Sequence, residues 1–190
     1  MRENISQSLE EERAKKEKVK LLEKLNIGSA QKANIILVAL GLKPATDLSL
    51  FKNNDSEAVV EEALTKAGLV FADKGIGGEK QNKVAKISIA RDEETLNRLL
   101  ALSPSKDHEE YGRLMGYPET AVEAFVNKKL LDEPTERKLI AASGNIFPMK
   151  LSKDHWREEI EHLRTWNEAI KEYSLDTYEE AKGERVICSL

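Results

Sequence analysis

The segment from Asp107 to Thr120 holds the densest set of side chains that could bind or transform a ligand. It reads DHEEYGRLMGYPET and places two glycines four residues apart, which allows close approach of the backbone. A helix opened by Pro118 would also present free N–H groups that could hold an anion. We therefore predict a small-ligand site with the candidate residues His108, Arg113, Tyr117, Glu119 and Thr120. The alternative is a helix–helix corner in which Tyr117 plugs the junction.

A second group of potential ligands lies on the long helix predicted after Ser152. His155, Glu159 and His162 follow the spacing i, i+4, i+7 and therefore share one face of that helix. Histidine and carboxylate ligands one and two turns apart can converge on one metal ion. A di-iron bundle would need a second Glu-x-x-His pair, which the sequence lacks. The alternative is that these side chains pair with one another or with nearby arginines.

Several enzyme classes lose support because their motifs are missing. The sequence has no Gly-x-Ser-x-Gly elbow, no His-Glu-x-x-His pair and no kinase signature set. The glycine-containing segment from Lys74 to Lys83 lacks the phosphate-binding patterns and is interpreted as a hairpin connection. Cofactors stay unknown at this point.

Composition indicates the compartment and the class of protein. The single cysteine, Cys188, cannot form an intramolecular disulfide, and no apolar run approaches the roughly 20 residues that cross a bilayer. We therefore expect a cytoplasmic protein without a membrane segment. The net charge of −4 argues against a broad nucleic-acid surface.

The N-terminal region is predicted to be a charged helix. Between Glu10 and Lys24, 11 of 15 residues are charged, with acids first and bases after. Ion pairs at i, i+4 support such a helix only weakly, at about 0.2–0.5 kcal/mol each. We predict a charged helical arm over residues 1–27, which could dock on a partner or on a second copy, and a single α+β domain over residues 28–190.

The rest of the chain predicts a predominantly helical α+β fold. Hydrophobic periodicity and capping signals indicate helices over about 29–40, 56–67, 92–101, 106–115, 118–126, 134–143 and 153–173. Within the first of these, a strand from Ile35 to Leu40 is the alternative, because periodicity alone cannot separate the two in a short apolar run. Two runs read as strands, Leu69 to Ala72 and Val84 to Ala90, and a small antiparallel hairpin sheet covered by helices is the simplest arrangement. The helix after Pro118 is predicted to bury Ala121, Val122, Phe125 and Val126.

The turn segment resembles an uncharacterised, largely archaeal protein family whose members share a G-x-L-x-G-Y-P core followed by an apolar helix. In this sequence the core is Gly112 to Pro118. A second matching block runs from Phe147 to Ser152 and leads into His155, Trp156 and Glu159. The family has no settled activity, so the resemblance implies no reaction.

Three functions are compatible with these patterns. The first is a binding or regulatory module that acts through protein or small-ligand contact. The second is an enzyme, with or without a metal, that uses His108, His155, Glu159 and His162 beside the Tyr117 turn. The third is weak nucleic-acid binding through the basic part of the N-terminal arm.

Overall fold

The protein is described here from a computed structural model that covers residues 2–51, 55–77 and 84–188. Within these residues it has nine helices and three strands. In chain order they are α1 (Arg2–Leu22), α2 (Ser29–Ala39), β1 (Ala45–Leu50), α3 (Glu57–Lys66), β2 (Val70–Gly77), β3 (Val84–Ala90), α4 (Glu93–Ala101), α5 (His108–Leu114), α6 (Glu119–Val126), α7 (Glu133–Ala142), α8 (Trp156–Tyr173) and α9 (Leu175–Cys188). The predicted fold class, α+β and predominantly helical, is confirmed.

The sheet has three antiparallel strands in the order β1-β3-β2. The predicted hairpin is confirmed, but β2 continues to Gly77, through the first part of the predicted connection. A register shift between Asp73 and Ile76 accompanies Gly75 at φ +83°, a conformation that glycine adopts without strain. Residues 78–83 of the predicted connection lie outside the described residues.

Strand β1 was not predicted from the sequence. Its pattern ATDLSL alternates, with Thr46, Leu48 and Leu50 buried and Asp47 and Ser49 partly exposed. The alternation is typical of a half-buried strand. Because the strand follows a helix and pairs with residues of β3 that lie 35 to 45 positions further along the chain, its partner could not be identified locally.

The two faces of the sheet carry two different packing layers. Ile87 and Ile89 point into the larger core with the apolar residues of α2 and α3. Ala90 points to the opposite face, where Leu96 and Leu99 of α4 cover it. Helix α4 begins where expected, because the Asp92 side chain accepts a hydrogen bond of 2.8 Å from the Thr95 N–H. The sheet therefore lies between helices.

Helix α2 is confirmed, and the alternative of a strand over Ile35 to Leu40 is wrong. The helix begins at Ser29, with Gly28 rather than Ser29 in the capping position. Ile35, Ile36 and Leu37 are all fully buried, because the sheet, α1, α8 and α9 pack around this helix. An apolar run that is buried on every side has no periodicity, which explains why the sequence left both structures open.

The end of the predicted N-terminal arm belongs to the core. Val19 and Leu22 of α1 are fully buried, and Leu25 is nearly so. Further up the helix, the Tyr173 hydroxyl of α8 donates a 2.7 Å hydrogen bond to Glu12. No helix in the described ranges is long and apolar enough to cross a membrane.

Trp166 of α8 joins the long helix to the rest of the protein. Its side chain is 2% exposed, and its ring meets Phe147 edge-on at a centroid distance of 5.5 Å. It also lies against the turn between α5 and α6, where a Cβ at Gly116 would be 3.3 Å from the Trp166 Cζ2 atom. Gly116 has φ +77°, so the turn needs glycine both for its backbone conformation and for this close approach.

We expect Gly116→Ala to destabilise the protein more than Gly144→Ala. Both glycines have positive φ, so both variants incur the strain of an L-residue in the left-handed region, about 1–2 kcal/mol. Only at Gly116 would the new methyl group also crowd Trp166 and Lys43, each at 3.3 Å, whereas nothing lies within 4 Å at Gly144. Urea unfolding of both variants measures the difference. Equal losses would show that the approach of Trp166 imposes no constraint on the turn.

Candidate functional site

Helices α5 and α6 form a tight corner around the Gly116 turn. The Tyr117 N–H donates a 3.1 Å hydrogen bond back to the Gly112 carbonyl, and Pro118 occupies the capping position of α6 rather than its first residue. A Cβ at Gly112 would lie only 2.9 Å from Val122, so the two helices touch at this glycine. The helix–helix corner predicted as the alternative for this segment is therefore present. The side of the corner away from the α5–α6 contact faces other elements.

A cavity of about 610 Å³ lies between this corner, helix α7 and the segment before α8. Most of its wall is apolar, formed by Pro104, Gly112, Ala121, Val122, Phe125, Pro148 and Met149. Five polar or ionisable side chains interrupt that wall, namely His108, Tyr111, Tyr117, Glu136 and Lys150. Of the predicted site residues, His108 and Tyr117 are brought together here.

Glu136 is the buried carboxylate of this cavity, and sequence reasoning missed it. The residue is 6% exposed; its Oε2 accepts a hydrogen bond from the Leu151 N–H and its Oε1 accepts one from the Lys150 ammonium, both at 3.1 Å. Glu136 precedes the buried Ile140 by one helical turn on α7. A charged residue on the apolar face of a helix was the available signal.

Tyr111 connects the cavity to the sheet. Its hydroxyl donates a 2.8 Å hydrogen bond to Asp47 of β1, which also accepts one from the Ser88 hydroxyl at 2.7 Å and pairs with Lys74 at 3.1 Å. Burial and the neighbouring Asp47 carboxylate raise the pKa of Tyr111, so this hydroxyl keeps its proton. These hydrogen bonds hold the hydroxyl end of Tyr111 on the sheet and so restrict the position of its ring.

Tyr117, in the turn between α5 and α6, lines the same cavity. Burial raises the pKa of its hydroxyl. Its ring packs against Trp166 at a centroid distance of 6.4 Å. The side chain predicted to plug the corner therefore also forms part of a cavity wall.

Phe125 and Val126 were predicted to be buried, and this prediction is wrong. Their exposed fractions are 42% and 45%, whereas Ala121, Val122 and Ala124 form the buried face of α6. Helix α6 has only eight residues, and its last turn extends past the core. The Phe125 ring packs edge-on against His108 at 5.2 Å. Phe125 lines this cavity, and both residues line a neighbouring hollow of about 800 Å³.

The other three residues predicted for this site do not line the 610 Å³ cavity. Arg113 pairs with Glu119 through its Nε atom at 2.9 Å and also with Glu109, on the surface of the corner. The Arg113 hydrogen bond lowers the pKa of Glu119, which keeps this carboxylate ionised. Thr120 is partly buried on α6 and lines neither hollow.

The three residues predicted as metal ligands have three different partners. His155 lies 3.3 Å from Glu158, Glu159 is fully buried and accepts a 2.8 Å hydrogen bond from the Ser152 N–H, and His162 lies 3.2 Å from the Gly116 carbonyl oxygen. Within the described residues, no group of three or more His, Cys, Asp or Glu side chains could hold a metal ion. Metal binding by these residues stays a prediction.

His162 nevertheless connects the long helix to the turn. A carbonyl oxygen accepts, so the Nε2 atom of His162 must carry the proton in this contact. Burial lowers the pKa of His162, which favours the neutral ring, although the Gly116 hydrogen bond opposes this effect. The ring also meets Trp166 edge-on at 4.8 Å. The contact reaches the backbone of the turn and not the cavity.

Lys43 is a buried amine beneath the same turn. It is 3% exposed, its Nζ donates a 2.6 Å hydrogen bond to the Asn34 side chain, and it lies 4.8 Å from the Trp166 ring and 5.8 Å from the Tyr117 ring. Burial lowers the pKa of Lys43 to about 7. Gly41 at φ +76° ends α2 and turns the chain inward here. Lys43 was not identified from the sequence.

The comparisons with known proteins found no relative. No protein-family model matches the chain, and no significant match was found among curated proteins or solved structures. The resemblance to an archaeal family stays a prediction, and the function must be argued from the geometry alone.

We expect Lys43 to make stability depend on pH. Its folded pKa of about 7 lies below the ordinary value of 10.5, so between these pH values the unfolded chain binds more protons than the folded one. Stability should therefore rise with pH in this window, by up to about 1.4 kcal/mol per pH unit, and be lowest below pH 7. Urea unfolding of the wild type and of Lys43→Met from pH 6 to 9.5 isolates the contribution, because the variant should lack the rise.

Lys66→Met is the matched control, because the side chain of Lys66 is 57% exposed on α3. This variant should keep the wild-type slope. The same slope in both variants would show that Lys43 is not desolvated.

Proposed function

We propose that this protein is a small-molecule-binding protein whose ligand occupies the 610 Å³ cavity between α5, α6, α7 and the segment before α8. The observation that supports the proposal is the lining of that cavity, a mainly apolar wall with a few convergent polar groups. Ligand sites commonly have volumes of about 300–1,000 Å³ and this division of polarity. Its setting among packed helices also suits a preformed site.

Binding is favoured over catalysis because of which residues reach the cavity. The enzyme alternative used four residues, His108, His155, Glu159 and His162, and of these only His108 lines it. Neither Glu159, whose Oε2 atom accepts the hydrogen bond from the Ser152 N–H, nor His162, which contacts the turn backbone, lines the cavity. A reacting group in the cavity would thus meet His108 and Tyr117 but not His155, Glu159 or His162.

The N-terminal arm has weaker support for either of its predicted roles. Acidic residues pair with basic ones along α1, as in Arg13 with Glu17 and Lys16 with Glu12, which reduces its attraction for nucleic acid. A partner or second copy would contact the exposed side of the arm, which includes Leu9 at 66% exposure, because Val19 and Leu22 are buried on the other side. We propose no function for this part beyond docking. A cytoplasmic location remains our proposal for the whole protein.

A fragment screen tests the binding proposal. Ligand-observed NMR with neutral fragments of 8 to 15 heavy atoms should give hits with dissociation constants of about 1 mM or below. Binding should shift the methyl resonances of Val122 and Met149, which line the cavity, and leave those of Val60 on α3 unchanged. A screen without hits, or hits that shift only resonances outside the cavity, would contradict the proposal.

Phe125→Ala should weaken the binding of aromatic fragments about fivefold. The ring lines the cavity, and an aromatic contact contributes about 0.5–1.5 kcal/mol, whereas truncation of an exposed side chain should cost little stability. Val126→Ala is the matched control, because Val126 is equally exposed on the same turn of α6 but does not line the 610 Å³ cavity. Equal affinity losses in the two variants would place binding elsewhere.

A further inference from the structure

We propose that the cavity selects an organic cation, that is, an amine or quaternary ammonium group with compact apolar substituents. This inference rests on the proposed function and names its ligand class. It is carried by the aromatic rings and the buried carboxylate that line one cavity.

Three aromatic rings line the cavity, those of Tyr111, Tyr117 and Phe125. The face of an aromatic ring attracts a cation within about 6 Å, and the attraction grows when the site excludes water. The hydrogen bond to Asp47 holds Tyr111 in place, and packing against the Trp166 ring holds Tyr117. Their rings therefore need little reorganisation when a ligand enters, which favours affinity.

Glu136 supplies the fixed negative charge. It is the single carboxylate among the described residues that line this cavity. Its position is set by the hydrogen bond from the Leu151 backbone, and its 6% exposure keeps it out of bulk water. A buried carboxylate with one oxygen held by the backbone offers the other oxygen to a cation.

In the structure, Lys150 pairs with that second oxygen. Whether the cavity accepts a positively or a negatively charged ligand therefore depends on how easily the ligand replaces Lys150. The Lys150 side chain is 52% exposed, whereas that of Glu136 is 8% exposed. The half-exposed ammonium group of Lys150 can turn into solvent when a ligand cation takes its place, because the carboxylate of Glu136 is then not left unpaired. The Glu136 side chain cannot turn into solvent in the same way, because it is buried and accepts the hydrogen bond from the Leu151 N–H. A cation can thus replace Lys150, whereas an anion bound to Lys150 would lie beside a fixed carboxylate.

Three probes of one shape test the inference, because they differ chiefly in charge. They are choline, the neutral 3,3-dimethylbutan-1-ol and the anionic 3,3-dimethylbutanoate, measured by isothermal titration calorimetry and by competition with a fragment bound in the cavity. Choline should bind about tenfold more tightly than the alcohol, and the carboxylate should bind most weakly. Equal binding of choline and the alcohol, or tightest binding of the carboxylate, would overturn the inference.

Glu136→Gln should reduce the tenfold preference for choline, because only the aromatic rings then attract the cation, and should leave the affinity for the alcohol unchanged. The amide keeps an acceptor for the Leu151 N–H, and a thermal melt checks that the variant is folded. Glu133→Gln is the matched control, since Glu133 is exposed on the same helix and pairs with Arg137. A tenfold preference that persists in Glu136→Gln would contradict the assigned role of this carboxylate.

Lys150→Gln provides a test that does not depend on the folding of the Glu136 variant. Removal of the competing ammonium group should tighten choline binding about threefold and weaken the carboxylate further. Weaker choline binding in this variant would overturn the inference. If neutral fragments bind in the cavity but choline does not, the inference fails and the proposed function stands. If no fragment binds in the cavity, the proposed function itself fails.

Discussion

The packing of Trp166 against the Gly116 turn constrains the rest of the structure. One buried indole ring contacts the connection after α2, the corner between α5 and α6 and the segment before α8, through Lys43, Tyr117 and Phe147. The ring can lie this close to the turn because Gly116 has no side chain. Long-range contacts of this kind set the relative positions of elements that are far apart in sequence, because close-packed side chains leave little room for the elements to shift.

The cavity is a consequence of this corner. Because Gly112 lets Val122 approach closely, α5 and α6 meet with little space between them, and their remaining side chains form a wall. Helix α6 ends at Val126, so Phe125 reaches the rim of the cavity and does not fill it. Helix α7 and residues 148–150 close the opposite side.

Local patterns were sufficient for most helices and for the hairpin, since amphipathic spacing and caps such as Asp92 are properties of a few neighbouring residues. Strand β1 was not predicted in the same way, because the residues of β3 with which it pairs lie 35 to 45 positions further along the chain. For the site, the turn segment identified His108 and Tyr117, but Glu136 and Lys150 come from later elements. Their meeting depends on how α7 packs, which no spacing in the sequence encodes.

Burial of a charged side chain does not by itself indicate a binding role, as three residues show. Glu159 is fully buried, but its hydrogen bond to the Ser152 N–H fixes the chain just before α8, which is a structural task. Lys43 lies beneath aromatic rings, where desolvation favours its neutral form. Glu136 differs from both because it borders an open cavity and its partner Lys150 is half exposed. Access to a ligand, combined with a partner that can leave, therefore distinguishes Glu136 from Glu159 and Lys43, which are buried within the fold.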